Sequence, residues 1–238
     1  MKIQLLPKQW DTSLFGFTIY SADIFNATHD EIQRLMTHCA NQKIRLVYLF
    51  PKDNVSEVHL RRASIPLVDQ KVVFSKTNFS RMMPCDNLDI YNGLEQYDIL
   101  SQLALSSGAY SRFKTDTHFG FKNFQKLYLT WLDRSVRKEI ADDVIIWKDT
   151  HGLIKGFITY KVVHEIITIG LIAVDPLVKG LGIGRSLIRE IENIAKNRNI
   201  TEVNVATQFD NRDAYHFYLK NQYTVKSIQP IYHLWTEI

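Results

Sequence analysis

The chain is poor in the features that mark several protein classes. It has two cysteines in 238 residues, Cys39 and Cys85, too few for a disulfide framework. Cys39 falls on the apolar face of a helical pattern, so a reduced protein is expected. No apolar run approaches the ~20 residues needed to cross a bilayer. The opening Met-Lys-Ile-Gln-Leu-Leu-Pro-Lys lacks the apolar core of a signal peptide. Membrane insertion is therefore not expected, and a cytoplasmic location is. Lys and Arg form no run of the kind that binds nucleic acid, so none is expected as a partner. What is present is ordinary for a globular protein: 45% hydrophobic and 23% charged residues, with a net charge of +4. That mild excess suits small polyanionic ligands.

Two α/β series follow one another. Strand signals at Phe17–Ile24, Ile44–Phe50 and Val72–Phe74 alternate with helical patterns beginning after Thr28 and near Ser56. The polar stretch Lys76–Asn92, with Met82-Met83-Pro84, has no periodicity and is the expected boundary, giving units 1–90 and 93–238. The second series predicts a helix over Leu94–Ser106 and a polar loop, Ser111–Phe119. A long helix follows, with Phe121, Phe124, Leu127, Tyr128, Trp131, Leu132 and Val136 on one face. A hairpin turns at Asp149-Thr150-His151-Gly152. The fold class expected is α/β with a mixed sheet. No internal repeat is evident, unless the N-terminal unit is a worn copy of the second.

The stretch Ile166–Tyr223 organises the chain. Ile166 to Val174 reads as a strand, and its density of Ile, Leu and Val predicts burial on both faces. Asp175-Pro176 ends it. Gly180, Gly182 and Gly184 come within five residues, and Leu187, Ile188, Ile191, Ile194 and Ala195 follow at helical spacing. Strand, glycine loop and helix aim backbone N–H groups and the positive end of a helix dipole at one small volume, where a pyrophosphate would sit. The loop is not a P-loop, since no Gly-Lys-Ser/Thr ends it, and no G-x-G-x-x-G is present.

Lys179-x-x-Gly182-x-Gly184 after Val-Asp-Pro resembles motif A of the GCN5-related N-acetyltransferases (GNAT), with Lys179 in place of the usual Arg or Gln. Beyond the next strand, Glu202–Thr207, Asn211-x-x-Ala214-x-x-Phe217-Tyr218 resembles their motif B; Gln222-Tyr223 stands where Gly-Phe is usual. Four further segments resemble a branch similar to dTDP-fucosamine acetyltransferases: Trp10–Gly16, Ser111-Arg112-Phe113, Val205–Gln208 through Asn211, and Ile231–Trp235.

The resemblance implies a GNAT fold preceded by a smaller α/β unit on the substrate side. It implies acetyl-CoA as cosubstrate, no metal, and direct acetyl transfer to the amine of a nucleotide-linked, dTDP-type 4-amino-4,6-dideoxy sugar in surface-polysaccharide synthesis. Ile172, Ala173 and Val174 would offer backbone to the pantetheine and the oxyanion. Lys179, Gly180, Leu181, Gly182, Ile183, Gly184 and Arg185 would hold the pyrophosphate. Asn211 would bind the cofactor or only cap its helix. Tyr218 would protonate the leaving thiolate, since a phenol with an ordinary pKa near 10 keeps its proton at neutral pH. Arg112 would meet the substrate's diphosphate, and Phe113 would stack on thymine or pack in the core. His118, Asp116, His164, Glu165 and His233 are all candidate bases in principle, and none is singled out. Members of the fold often dimerise through their terminal strands. The alternatives are acetylation of another amine (an amino acid, polyamine or protein) and a non-catalytic acyl-CoA-binding module.

Overall fold

The computed structural model describes residues 3–79, 85–93 and 95–236. It forms two compact units, Met1–Val72 with Gln208–Asp210 and Ile228–Ile238, and Val73–Thr207 with Asn211–Ser227. The division therefore falls at Val72 rather than in the Lys76–Asn92 stretch, and the end of the chain returns to the first unit. Met82-Met83-Pro84 lie outside the described residues.

The first unit contains β1 (Leu6–Pro7), α1 (Gln9–Phe15), β2 (Ile19–Ile24), α2 (His29–Asn41), β3 (Leu46–Pro51) and α3 (Asn54–Arg62). Part of β4 (Leu67–Lys76) and the later part of β10 (Thr224–Trp235) complete it. β2 and β3 run parallel, and β10 lies antiparallel on β3, with Tyr232 opposite Leu49. The core is aliphatic: Ile24, Ile32, Leu35, Val47, Leu49 and Leu60 are buried together, with Cys39 among them. Trp10–Phe15, in the segment that resembles an N-terminal signature, are part of a short helix closed by Gly16 in the left-handed region (φ 80°).

The second unit continues with β5 (Leu88–Ile90), α4 (Tyr97–Ser107), α5 (Arg112–Thr115), α6 (Gly120–Val136), β6 (Asp143–Lys148), β7 (Ile154–Val163) and β8 (Ile166–Val174). A 3-10 turn (Pro176–Val178), α7 (Ile183–Asn197), β9 (Glu202–Gln208) and α8 (Arg212–Lys220) lead into β10. Within it the strand order is β4-β9-β8-β7-β6-β5. β8 and β9 are parallel, while β7 is antiparallel to both β8 and β6. The mixed sheet expected from the sequence is present. Among the described residues no helix is long and apolar enough to cross a membrane.

Three local expectations are corrected. Ser111–Phe119 is not a solvated loop: it contains the single turn α5, and Phe113, Asp116 and Phe119 are buried. On α6, Phe124, Leu127, Tyr128 and Leu132 are buried, but Phe121 is exposed at the helix start. β8 is buried on one face only, through Ile167, Ile169, Leu171 and Ala173, while Thr168 and Gly170 are exposed. Its uniform apolarity hid the alternation, and the polar and small residues marked the open face.

Candidate active site

The site is built where β8 and β9 part. Their pairing runs only from Ile166 opposite Glu202 to Ile169 opposite Val205. There β8 also gains one residue on β7: Ile158 faces Ile172, but Tyr160 faces Ile169. Gly170 and Leu171 thus share Thr159, which makes a β-bulge. The Thr159 hydroxyl accepts the Leu171 N–H at 2.8 Å, and a Cβ on residue 170 would lie 2.7 Å from that oxygen. Only glycine fits so close an approach.

The bulge lies at Gly170–Leu171, ahead of Ile172-Ala173-Val174, and it decides which way the later amides point. Asp175 N–H donates to the Lys155 carbonyl at 2.8 Å. Since bonded and non-bonded pairs alternate along an antiparallel ladder, Ala173 bonds back to β7, while Ile172 and Val174 turn their N–H and C=O toward the gap. The sequence did not show this because a bulge depends on the partner strand.

After β8, Asp175 caps the 3-10 turn by accepting the Leu177 N–H at 3.0 Å. Gly180 (φ 86°) and Gly182 (φ 83°) both take the left-handed conformation, and a Cβ on either would meet nothing within 4 Å. The loop is thus an open cradle of main chain. Gly182 is the N-cap of α7 and has no side chain to cap it, and the first turn contains no acid. The N–H groups of Ile183, Gly184 and Arg185 are the ones a helix cannot satisfy itself. Below them Ile183, Leu187, Ile188, Ile191 and Ala195 are buried and fix the helix against the second unit's core.

α8 supplies the facing wall. Asn211 is its N-cap, with Oδ1 accepting the Ala214 N–H at 3.2 Å. Tyr218 lies seven residues on, two turns along the same face. It is only 2% exposed, against Phe74 (ring centroids 5.3 Å apart) and Phe217 (5.4 Å). Burial pushes its phenol pKa well above the ordinary value.

These three walls enclose a cavity of about 440 Å³. It is lined by Ile172, Ala173, Val174, Lys179, Gly180, Gly182, Ile183, Gly184, Arg185, Asn211 and Tyr218. Of the residues expected to hold the cofactor, Leu181 alone is not on the lining; it is 74% exposed. Val178, Asp213, Ala214 and Phe217 also line it. Ala214 and Phe217 share the α8 spacing of Asn211 and Tyr218, a helical signal that could have added them. Lys179 lies 3.6 Å from Asp213, a highly exposed pair that adds little stability.

Arg112 and Phe113 are not on this lining. The Arg112 guanidinium carbon stands 4.4 Å from the Phe113 ring centroid, and Phe113 packs edge-on against Phe119 (5.1 Å) and Trp131 (6.1 Å). Of the candidate bases, Asp116 is buried and meets Nδ1 of the more exposed His118 at 2.8 Å. His233 is buried in the first unit beside Tyr48.

Residues 112–223, a little under half of the chain, match the family described as "Acetyltransferase (GNAT) family". Among solved structures, a GCN5-related N-acetyltransferase from Sphaerobacter thermophilus aligns over 99% of this chain and 77% of its own, with 12% identity and a TM-score of 0.58. A conserved protein of unknown function from Staphylococcus epidermidis aligns over 93% and 85%, with 15% identity and a TM-score of 0.62. A GCN5-related N-acetyltransferase from Kribbella flavida aligns over 91% and 80%, with 8% identity and a TM-score of 0.56. At such identities the likeness is one of fold. No curated protein matches the chain. The matched segment is similar to the GNAT acetyltransferases, and the fold of the chain is that of the GNAT structures.

Proposed function

We propose that the protein transfers acetyl from acetyl-CoA to the amine of a nucleotide-linked 4-amino-4,6-dideoxy sugar, most simply a dTDP sugar. The observation that carries the donor half is the meeting of three features on one cavity: the uncapped glycine cradle, the strand edge at Ile172 and Val174, and Tyr218. The residues fit the donor. Main-chain N–H groups at Gly180–Arg185 suit a pyrophosphate, and an open strand edge suits a chain of amides. The acceptor half rests on the resemblance of Trp10–Gly16, Ser111–Phe113, Val205–Asn211 and Ile231–Trp235 to enzymes of nucleotide-sugar metabolism. In this reading Arg112 faces a diphosphate, the first unit serves the substrate side, and any self-association uses the terminal strands.

When bound, acetyl-CoA supplies an activated acyl carbonyl. The amine lone pair forms the new C–N bond, the C–S bond breaks, and the amine's surplus proton leaves to water. Ile172 or Val174 N–H donates to the oxygen as negative charge grows on it, a contribution worth about 10²–10³ in rate where such donors have been removed. Tyr218 gives its phenolic proton to the departing sulfur and regains one from water before the next turnover. Its raised pKa keeps that proton in place across the working pH range.

The test is thiol release from acetyl-CoA with a panel: dTDP-4-amino-4,6-dideoxyhexoses, UDP-4-amino sugars, amino acids, polyamines and a peptide. Turnover confined to nucleotide sugars is expected. Turnover on a polyamine or peptide alone overturns the acceptor half and leaves the donor half standing. Tyr218→Phe is expected to lower kcat about 10²-fold or more with KM for acetyl-CoA little changed.

A further inference from the structure

The second unit holds a buried charge that neither motif accounts for. Lys76, the last residue of β4, is 9% exposed, and its Nζ lies 2.8 Å from Glu192 Oε1 on α7. The same Nζ donates to the carbonyl of Asn221, the C-cap of α8, at 3.0 Å, and stands 5.5 Å from the centroid of the Tyr223 ring. Burying an ammonium is costly unless paired and hydrogen-bonded, and here it has an ion partner, a carbonyl and an aromatic face.

The placement matters because of what each partner belongs to. Asn221 closes the helix that carries Tyr218: Asn221 N–H and Nδ2 both donate to the Phe217 carbonyl, and Tyr223 N–H to that of Tyr218 at 3.1 Å. The following residue, Gln222, sits at φ 66°, the left-handed turn where the family pattern has glycine. Glu192 belongs to the helix whose first turn lines the same cavity. Two residues before Lys76, on the same face of β4, Phe74 packs against both Tyr215 (5.1 Å) and Tyr218 (5.3 Å). One strand thus supports the rings of α8 and fastens its C-terminus to α7.

We propose that Lys76 is a positioning residue for the transfer reaction: by tying the Asn221 carbonyl to Glu192, it sets the depth and pitch of α8 and so the place of the Tyr218 hydroxyl in the cavity. The proposal rests on the reading of Tyr218 as the acid. An acid displaced by about 1 Å can lose about 10²-fold in rate while its helix stays folded.

The experiment is a double-mutant cycle of Lys76→Met and Tyr218→Phe, followed by thiol release from acetyl-CoA with the panel's best amine. Lys76→Met is expected to lower kcat 10- to 100-fold with KM for acetyl-CoA within about twofold. In the Tyr218→Phe background it is expected to change kcat by less than about twofold, because it acts through that hydroxyl. Where Lys76→Met does not fold, Lys76→Met/Glu192→Leu replaces the pair with apolar groups and takes its place in the cycle. Independent multiplication of the two effects, or a folded variant with wild-type kcat, overturns the proposal. Tyr218→Phe low with Lys76→Met unaffected sinks this inference alone. Tyr218→Phe unaffected sinks the acid reading and this inference with it.

Discussion

Helix α2 follows the parallel strand β2 in the first unit, and α7 follows the parallel strand β8 in the second. In each unit a second strand and helix follow. Their first turns are chemically opposite. At α2 the protein uses up its own amides. Thr28 Oγ1 accepts the Glu31 N–H, Glu31 Oε2 accepts that of Thr28, Asp53 Oδ2 accepts that of Asn26, and Ser56 Oγ accepts that of Ala27. Asp30 and Glu31 add two negative charges. At α7 there is a glycine cap, no acid and no side-chain partner. The dipole is the same at both ends. What makes one of them a candidate site is the withholding of caps.

That comparison is broken most severely by giving α7 what α2 has. Gly182→Asp places a fixed negative charge at the cradle, and Asp is among the side chains least penalised in the left-handed conformation. CoA affinity, read by calorimetry, is expected to fall about 10²-fold, about 2.7 kcal/mol, while stability falls by only about 0.5–1 kcal/mol. A smaller loss comes from stripping the other end. Asp53 also caps α3, accepting the Ser56 N–H at 2.7 Å, so Asp53→Ala is expected to cost about 1–2 kcal/mol in denaturant unfolding without changing CoA affinity.

The pH dependence has the same origin. Backbone N–H groups of Ser56 first and Asn26 next hold the Asp53 carboxyl below the usual aspartate range. Its folded pKa is depressed, so the stability it gives is present above the ordinary value near 3.9 and lost as pH falls through the lower folded value. Wild type is expected to melt lower at pH 3 than at pH 6, and Asp53→Asn to narrow that difference. The smallest effect is a gain. Gln222→Gly relieves a left-handed non-glycine residue and is expected to add about 0.5–1 kcal/mol of stability, leaving KM for acetyl-CoA unchanged.

Much of the candidate donor site was legible because it is local. The glycine loop, the α7 spacing and Asn211-x-x-Ala214-x-x-Phe217-Tyr218 are contiguous, and helical periodicity alone puts their residues on one wall. The capping box at Thr28–Glu31 was half visible for the same reason, through Thr28. What escaped was set by distant partners. Thr159 accepts the Leu171 N–H at the bulge, and β4 delivers Phe74 and Lys76 to a helix more than 130 residues later. The two units also share the long strands β4 and β10, whose composition gives no sign of a border. Phe113 was open between stacking on a ligand and packing; its contact with Trp131 is packing.

The parting of β8 from β9 has a consequence for handling the protein. A stretch of strand with N–H and C=O groups facing an open gap behaves as a sheet edge, though it lies within a sheet, and any extended chain can pair with such an edge. Extended segments of other molecules are expected to compete for it at high protein concentration. Preparations kept with CoA are therefore expected to stay monodisperse by light scattering for longer than preparations without it. Substituting Ile172 or Val174 by proline, which removes an edge donor, should lessen that self-association and abolish turnover together.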